Sequence, residues 1–359
     1  MGGNAMKHFN VVRFNKDQYE ELTAAIRGCF EQLNENTDDS VEIVPSYRNK
    51  ESFGDCDILT DISSEEFEVE LQKDEDFLIL GKKRNGYVMS YAMKFKNYEP
   101  FQVDLIRSTA SNFSFNLNYL SYNDLGNLIG RIAAALGYKF GHDGLYLQAW
   151  FSHDGKQKNV ERVKEEGKTN EHAEYKKEKL LFCDFDKAIE FLGFDSNRFR
   201  EGFDNIEDIL KFVVDSKYFC KDYFALENRN HDQRVRDRKR ATYHAALEYF
   251  TNIEDKGRAA TRAEFKKMVA REFPQVFTMK RKMKKECKRE YLIARRLKSV
   301  RIQKLAKKCF NVRLEGVQLG KVMQFIKGNC DRTMAANGIS NSVWNAHLTE
   351  LIRLALKQS

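Results

Sequence analysis

Two aspartates one residue apart, Asp55 and Asp57, follow Gly54 and lead into the apolar pair Ile58 and Leu59. Alternate side chains of a strand share a face, so both carboxylates are expected to point the same way from the start of a strand buried on its other side. A second short stretch, Phe101–Ile106, sets Asp104 between hydrophobic residues. A carboxylate in an otherwise apolar strand is costly unless it is paired or metal-bound. Three convergent carboxylates fit hard divalent cations, which prefer oxygen ligands, and the two-metal clamp used on transferring phosphoryl groups. The plainer reading, in which each Asp caps or starts a strand, leaves Asp104 without a reason.

The elements that must position these residues follow from periodicity. Tyr19, Leu22, Ile26, Phe30 and Leu33 recur at spacings of three and four, which predicts an amphipathic helix over 16–37. Val41–Val44 predicts a short strand feeding a turn at Ser46, then the strand that carries Asp55 and Asp57. A helix with Phe67 and Leu71 is expected from Ser63. Strands at Phe77–Leu80 and Tyr87–Phe95 flank Lys83-Arg84-Asn85-Gly86, a good hairpin turn. With Phe101–Ile106 they close a mixed sheet of four or five strands. Phe113, Phe115, Leu117 and Tyr119 alternate, as in a strand or extended segment. Residues 124–137 read as a helix, capped by Asn123 or Asp124 and ended by Gly137. His142 reads as a turn residue. Residues 1–10 read as a disordered leader and 150–179 as an exposed loop or linker. Helices are expected through 181–250 and 262–309. Gly316 and Gly320 flank a further helix start whose amides could hold a phosphate, and Trp344–Leu356 reads as a core helix.

Composition narrows the class. The chain has 359 residues, 42% hydrophobic and 32% charged, with only three prolines, enough for two or three folded domains. Its seven cysteines never form a CxxC pair, which argues for reduced thiols rather than disulfides or a zinc site. No apolar run is long enough to span a bilayer and the N-terminus lacks a signal-peptide core. A cytoplasmic protein without membrane partners is expected. Net charge is +8, unevenly spread: residues 1–110 hold 21 acidic and 13 basic side chains, residues 251–310 hold 6 and 20. An acidic catalytic half joined to a basic helical half suits a metal-dependent enzyme acting on a polyanion, so nucleic acid is the expected partner.

The stretch Pro45-Ser46-Tyr47-Arg48-Asn49-Lys50-Glu51-Ser52-Phe53-Gly54-Asp55-Cys56-Asp57-Ile58-Leu59 resembles the signature of polymerase-beta-like nucleotidyltransferases, closest in style to the family X DNA polymerases. That signature is a Gly-Ser turn, basic residues, then Gly-Asp-x-Asp and an apolar strand; Val103-Asp104-Leu105 matches its third carboxylate. The resemblance implies an α+β fold, a mixed sheet flanked by helices and followed by a mostly helical C-terminal region. It implies that Asp55, Asp57 and Asp104 are catalytic and bind two magnesium ions, or manganese in their place. One ion would be held by all three carboxylates and the other by Asp55 and Asp57. Ser46, Arg48 and Gly54 would serve the triphosphate of a nucleoside triphosphate substrate. A weaker similarity covers Tyr119 to Arg131: Tyr119 and Asp124 would lie near sugar and base, Asn127 on the minor-groove side and Arg131 on the template side. Pro45 stands where the family has glycine, and Asn49 where a second arginine is common.

The expected domains are 1–110 catalytic, 111–155 a nucleotide-binding subdomain, 156–180 a linker and 181–359 a basic, helical nucleic-acid-binding region. Only about 40 residues precede the signature, and a long helical region follows it. That layout resembles tRNA nucleotidyltransferases and poly(A)-type enzymes. The expected activity is therefore nucleotide addition to an RNA 3′ end, of the CCA-adding or tailing kind. The alternatives are a small template-directed DNA polymerase and a non-catalytic nucleic-acid-binding protein on the same fold.

Overall fold

A computed structural model describes residues 5–36, 40–151, 175–226, 234–235, 237–238, 240–336 and 339–358. The described chain is α+β, with a mixed sheet and a helical C-terminal region. The N-terminal elements are β1 (Phe14–Asn15), α1 (Lys16–Asn36), β2 (Val41–Ile43), β3 (Ser52–Phe53), β4 (Cys56–Thr60), α2 (Ser64–Leu71), β5 (Phe77–Asn85), β6 (Val88–Phe95) and β7 (Phe101–Arg107). There follow α3 (Phe113–Leu120), α4 (Leu125–Leu136), β8 (Tyr138–Gly141), β9 (Gly144–Phe151) and β10 (Tyr175–Phe182). The remainder is helical: α5 (Phe185–Phe191), α6 (Ser196–Arg200), α7 (Ile206–Val214), α8 (Ala241–Thr251), α9 (Arg258–Glu272), α10 (Pro274–Arg296), α11 (Ser299–Phe310), α12 (Gly316–Asn329), α13 (Arg332–Ala336) and α14 (Asn341–Gln358). Among the described residues no helix is long and apolar enough to cross a membrane.

The chain divides into two compact units, one made of residues 1–147 and 179–272, the other of 148–178 and 273–359. The first is built on a five-stranded sheet ordered β2-β4-β7-β6-β5, in which β4 and β7 run parallel and the other neighbours antiparallel. Helix α1 lays Tyr19, Leu22, Ile26 and Phe30 on one face of this sheet, as its spacing predicts. There they meet Cys56 and Ile58 of β4, Val103 and Leu105 of β7, and Phe67 and Leu71 of α2. Ser63 and Glu66 form a capping box at the start of α2, each side chain accepting from the other's backbone N–H at 3.1 and 2.8 Å. The expected hairpin is present, but β5 runs on through Asn85 and the turn narrows to Gly86-Tyr87, with Gly86 at φ +64.

Four expectations change. Residues 113–120 are helical, not extended, because their apparent alternation is two interleaved helical stripes. Phe113, Leu117 and Leu120 pack with Val44, Leu59 and Ile106, while the rings of Phe115 and Tyr119, four residues apart, meet Phe140. The N-terminal segment is not a free leader over its described part. Met6 is fully buried and Val12 N–H bonds Pro100 O at 2.8 Å. The 150–179 stretch includes strand at both ends, with 152–174 outside the described residues; β10 joins a sheet ordered β10-β9-β8. The expected boundary at 110 falls inside the first unit, whereas the one at 180 lies close to a unit edge at 178/179, and the chain after it returns to the first unit as far as residue 272. Phe185, Phe191 and Phe265 pack their rings on Phe115, Tyr138 and Phe140, which ties α5 and α9 to the first unit. In the second unit, Ile293, Ile302, Ala306, Val322, Ile326, Trp344, Leu348 and Ile352 form a separate core.

Candidate metal centre

The register of β4 on β7 sets Asp57 beside Asp104. Neighbouring strands lie about 4.8 Å apart, so the two carboxylates are side by side on one face. The intervening residues, Cys56, Ile58, Val103 and Leu105, point into the α1 side of the sheet and are buried. On the carboxylate side, Leu59 and Ile106 are covered by α3. Asp57 and Asp104 lie two residues nearer the start of their strands. Asp55, two residues before Asp57, completes the group: one oxygen from each lies within 4.8 Å of the others, and all three are half-buried.

Like charges this close resist ionising together. Withdrawal from solvent pushes Asp57 up to about 8, with further upward contributions from Asp55 and Asp104 and a smaller opposing one from Lys50. Asp104 is raised first by burial and then by Asp55, against hydrogen bonds from Ser90 and Gln102 that favour its charged form. A trio of oxygen donors whose charges repel in a half-buried site is a donor set that a hard divalent cation fits.

Several partners of the trio are not evident from the motif. Gln102, 2% exposed, donates from Nε2 to both oxygens of Asp104 at 3.0 and 2.9 Å, and its Oε1 accepts the backbone N–H of Ala5 and Met6 at 3.0 and 3.2 Å. Its alternation with Asp104 in Phe-Gln-Val-Asp-Leu was the signal available in the sequence. Ser90 of β6 pairs with Asp104 across the strands. The Lys50 ammonium sits 4.6 Å from the Phe53 ring centroid and donates to Asn123 Oδ1 at 3.4 Å. Burial lowers its pKa, partly offset by Asp55 and Asp57. On the buried side of β4, Cys56 is pushed up to about 12 by burial. All seven cysteines are free.

The Ser46 turn is pinned from several directions. Val44 N–H bonds Asp57 O at 2.9 Å, Tyr122 N–H bonds Pro45 O at 2.8 Å, and the N–H groups of Arg48 and Asn49 bond Phe203 O and Asp204 O at 2.9 and 2.8 Å. Ser46 is half-buried and Gly54 buried. The Arg48 side chain turns to the Asp204 carboxylate and to Glu201 O, so it braces the turn against the loop after α6. Opposite, Tyr122 and Asn123 are successive residues at φ +61 and +60, a conformation that non-glycine residues rarely hold.

The remaining expected residues fall in two groups. Tyr119 packs its ring on Phe140 and on His142, 4.5 Å between centroids in the latter pair. Asp124 takes the N-cap position of α4 without a capping bond; it binds Arg240 and accepts from Asn127 Nδ2 at 3.2 Å. Arg131 does not face outward as the template-side reading requires. It is buried, pairs with Asp237 at 2.7 Å and stacks on Tyr243 at 3.9 Å. His142 is a turn residue, hydrogen-bonded with Tyr87 and Asn116. It lines a cleft of about 780 Å³ beyond the C-terminal ends of β4 and β7, with Asp61, Arg107 and Ser108. None of the three carboxylates lines that cleft. Compared with known proteins, the chain matches no family model and no curated protein.

Proposed function

We propose that this chain is a divalent-metal-dependent nucleotidyltransferase of the polymerase-beta-like kind. It transfers a nucleotide from a nucleoside triphosphate to the 3′-hydroxyl of a nucleic acid, RNA in the first instance, and releases pyrophosphate. The convergence of Asp55, Asp57 and Asp104 carries this reading. These carboxylates would hold magnesium or manganese. Bound there, the metal supplies electrostatic stabilisation of the phosphoryl oxygens and lowers the pKa of the attacking hydroxyl. Gln102 keeps both oxygens of Asp104 aimed and satisfied. The Ser46 hydroxyl would grip the terminal phosphates, while the backbone N–H groups of Arg48 and Asn49 are taken up in pinning its turn. Lys50, beside Asp55 and Asp57, offers a positive charge to the leaving group. Arg48 serves by holding the turn in place.

A second reading, template-directed DNA synthesis, draws on the α3–turn–α4 unit, which carries Tyr119, Asp124 and Asn127 at the spacing the resemblance names. The burial of Arg131 takes away one of that reading's residues. The test supplies labelled ribo- and deoxyribonucleoside triphosphates with tRNA, single-stranded RNA or gapped DNA. Divalent-dependent incorporation is expected, with the acceptor choosing between the readings. Asp104→Ala should abolish incorporation while leaving the circular dichroism spectrum intact, and normal incorporation by that variant would sink the mechanism.

A further inference from the structure

Residues 273–359 hold 20 basic and 5 acidic side chains, although the whole chain carries only +8. The basic residues are not all alike. Arg296 turns inward, donating to Ile339 O at 2.7 Å with its guanidinium 5.7 Å from the Trp344 ring. Arg295, Lys298, Arg301 and Lys304 instead line a cleft of about 390 Å³ at the joint between α10 and α11, closed by Asn345 of α14. They recur at a strict spacing of three, and within α11 such a step climbs about 4.5 Å. Arg301 is held in place by a bond to Asn341 Oδ1 at 3.1 Å.

The five acidic residues of the segment are engaged elsewhere. Glu286 pairs with Lys177, Glu290 with Arg332, Glu315 with Arg313 and Glu350 with Arg353. Asp331 accepts the N–H groups of Thr333 and Met334. No carboxylate is among the residues that line the cleft. Arg295, Arg301 and Lys304 converge on a concavity that no carboxylate lines, so their charges repel one another and an anion that enters relieves this. The cleft is concave and carries only Val300 and Leu305 as apolar lining. A lining of cations with two apolar side chains matches a sugar–phosphate backbone and offers little to the acyl chains of a bilayer. We propose that this cleft binds the sugar–phosphate backbone of a nucleic acid, with Arg295, Arg301 and Lys304 as the phosphate contacts and Lys298 at its rim.

The proposal deepens the nucleic-acid reading by naming where the second unit holds it. Its test is read as binding, without nucleotide or metal, so its failure would leave the carboxylate chemistry standing, and failed incorporation would leave the cleft standing. The full chain is titrated by fluorescence anisotropy with labelled single-stranded RNA and duplex DNA at several salt concentrations in a chelating buffer. The triple variant R295Q/R301Q/K304Q should weaken binding about tenfold or more and flatten the salt slope on duplex DNA by about two to three units. The triple K321Q/K327Q/K357Q removes the same charge from α12 and α14 and should stay within about twofold of the unsubstituted protein. Equal weakening by both triples, or none by the first, overturns the proposal. So does co-sedimentation with anionic vesicles in the absence of nucleic-acid binding. R295E/K304E leaves the Arg301–Asn341 bond intact and should weaken binding in the same direction if the first triple folds poorly.

Discussion

Asp57 keeps its proton to about pH 8 in the folded, metal-free chain, whereas in an unfolded chain it would lose it near 4. Between those values the folded state holds more protons than the unfolded one, so stability falls as pH rises. The metal-free melting temperature should therefore drop from pH 5 to pH 8, and Asp57→Asn should flatten that drop. Added Mn²⁺ should raise the melting temperature most at the alkaline end, where the carboxylates are charged; a shift independent of pH would contradict this. Gln102 belongs to the same scale. Gln102→Leu strands the N–H groups of Ala5 and Met6 and removes two donors from Asp104. The expected cost is about 2 kcal/mol of stability and roughly tenfold weaker Mn²⁺ binding by calorimetry. The carboxylates could be read from sequence because strand alternation is a local signal. Arg131 could not, because its partners Asp237 and Tyr243 lie more than a hundred positions downstream and nothing local separates a buried ion pair from an exposed cation.

Between residue and molecule, the joint of α3 and α4 sets the tolerance of the site. A Cβ on Gly126 would lie 2.2 Å from Tyr119 O, a backbone atom that cannot swing aside. Gly126→Ala must push the two helices apart and should cost about 1–3 kcal/mol. Because Tyr119 and Asp124 ride on those helices, the same variant should raise the KM for the nucleotide while leaving Mn²⁺ affinity at the carboxylates unchanged. Equal loss of both would show a general collapse. Periodicity made α1, α2, α4 and the hairpin legible in advance. It misled at 113–120, where residues 113, 117 and 120 serve one surface and residues 115 and 119 another. A helix that buries two stripes on different partners presents an alternating pattern, and only the identity of the partners resolves it.

For the whole molecule, the acidic and basic halves read from composition have a counterpart in two units with separate cores. Calorimetry should resolve two unfolding steps. Trp344, fully buried in the second core, is the lever: Trp344→Ala should remove about 3–5 kcal/mol from one step and leave the other, with its Mn²⁺ response, in place. A single step that moves as one would refute the separation. Composition could not reveal that each unit is assembled from two stretches of chain, since charge density says nothing of path. That path matters while the protein is being made. Residues 148–178 leave the ribosome roughly a hundred positions ahead of the helices that complete their unit, a wait of roughly 5–20 s at ordinary elongation rates. During it, the β9 and β10 segments must stay unaggregated beside a first unit that is itself incomplete until Glu272 has emerged. A chain stopped at Glu272, lacking the last 87 residues, would keep that exposure for good and is expected to sediment on expression where the full chain stays in the supernatant.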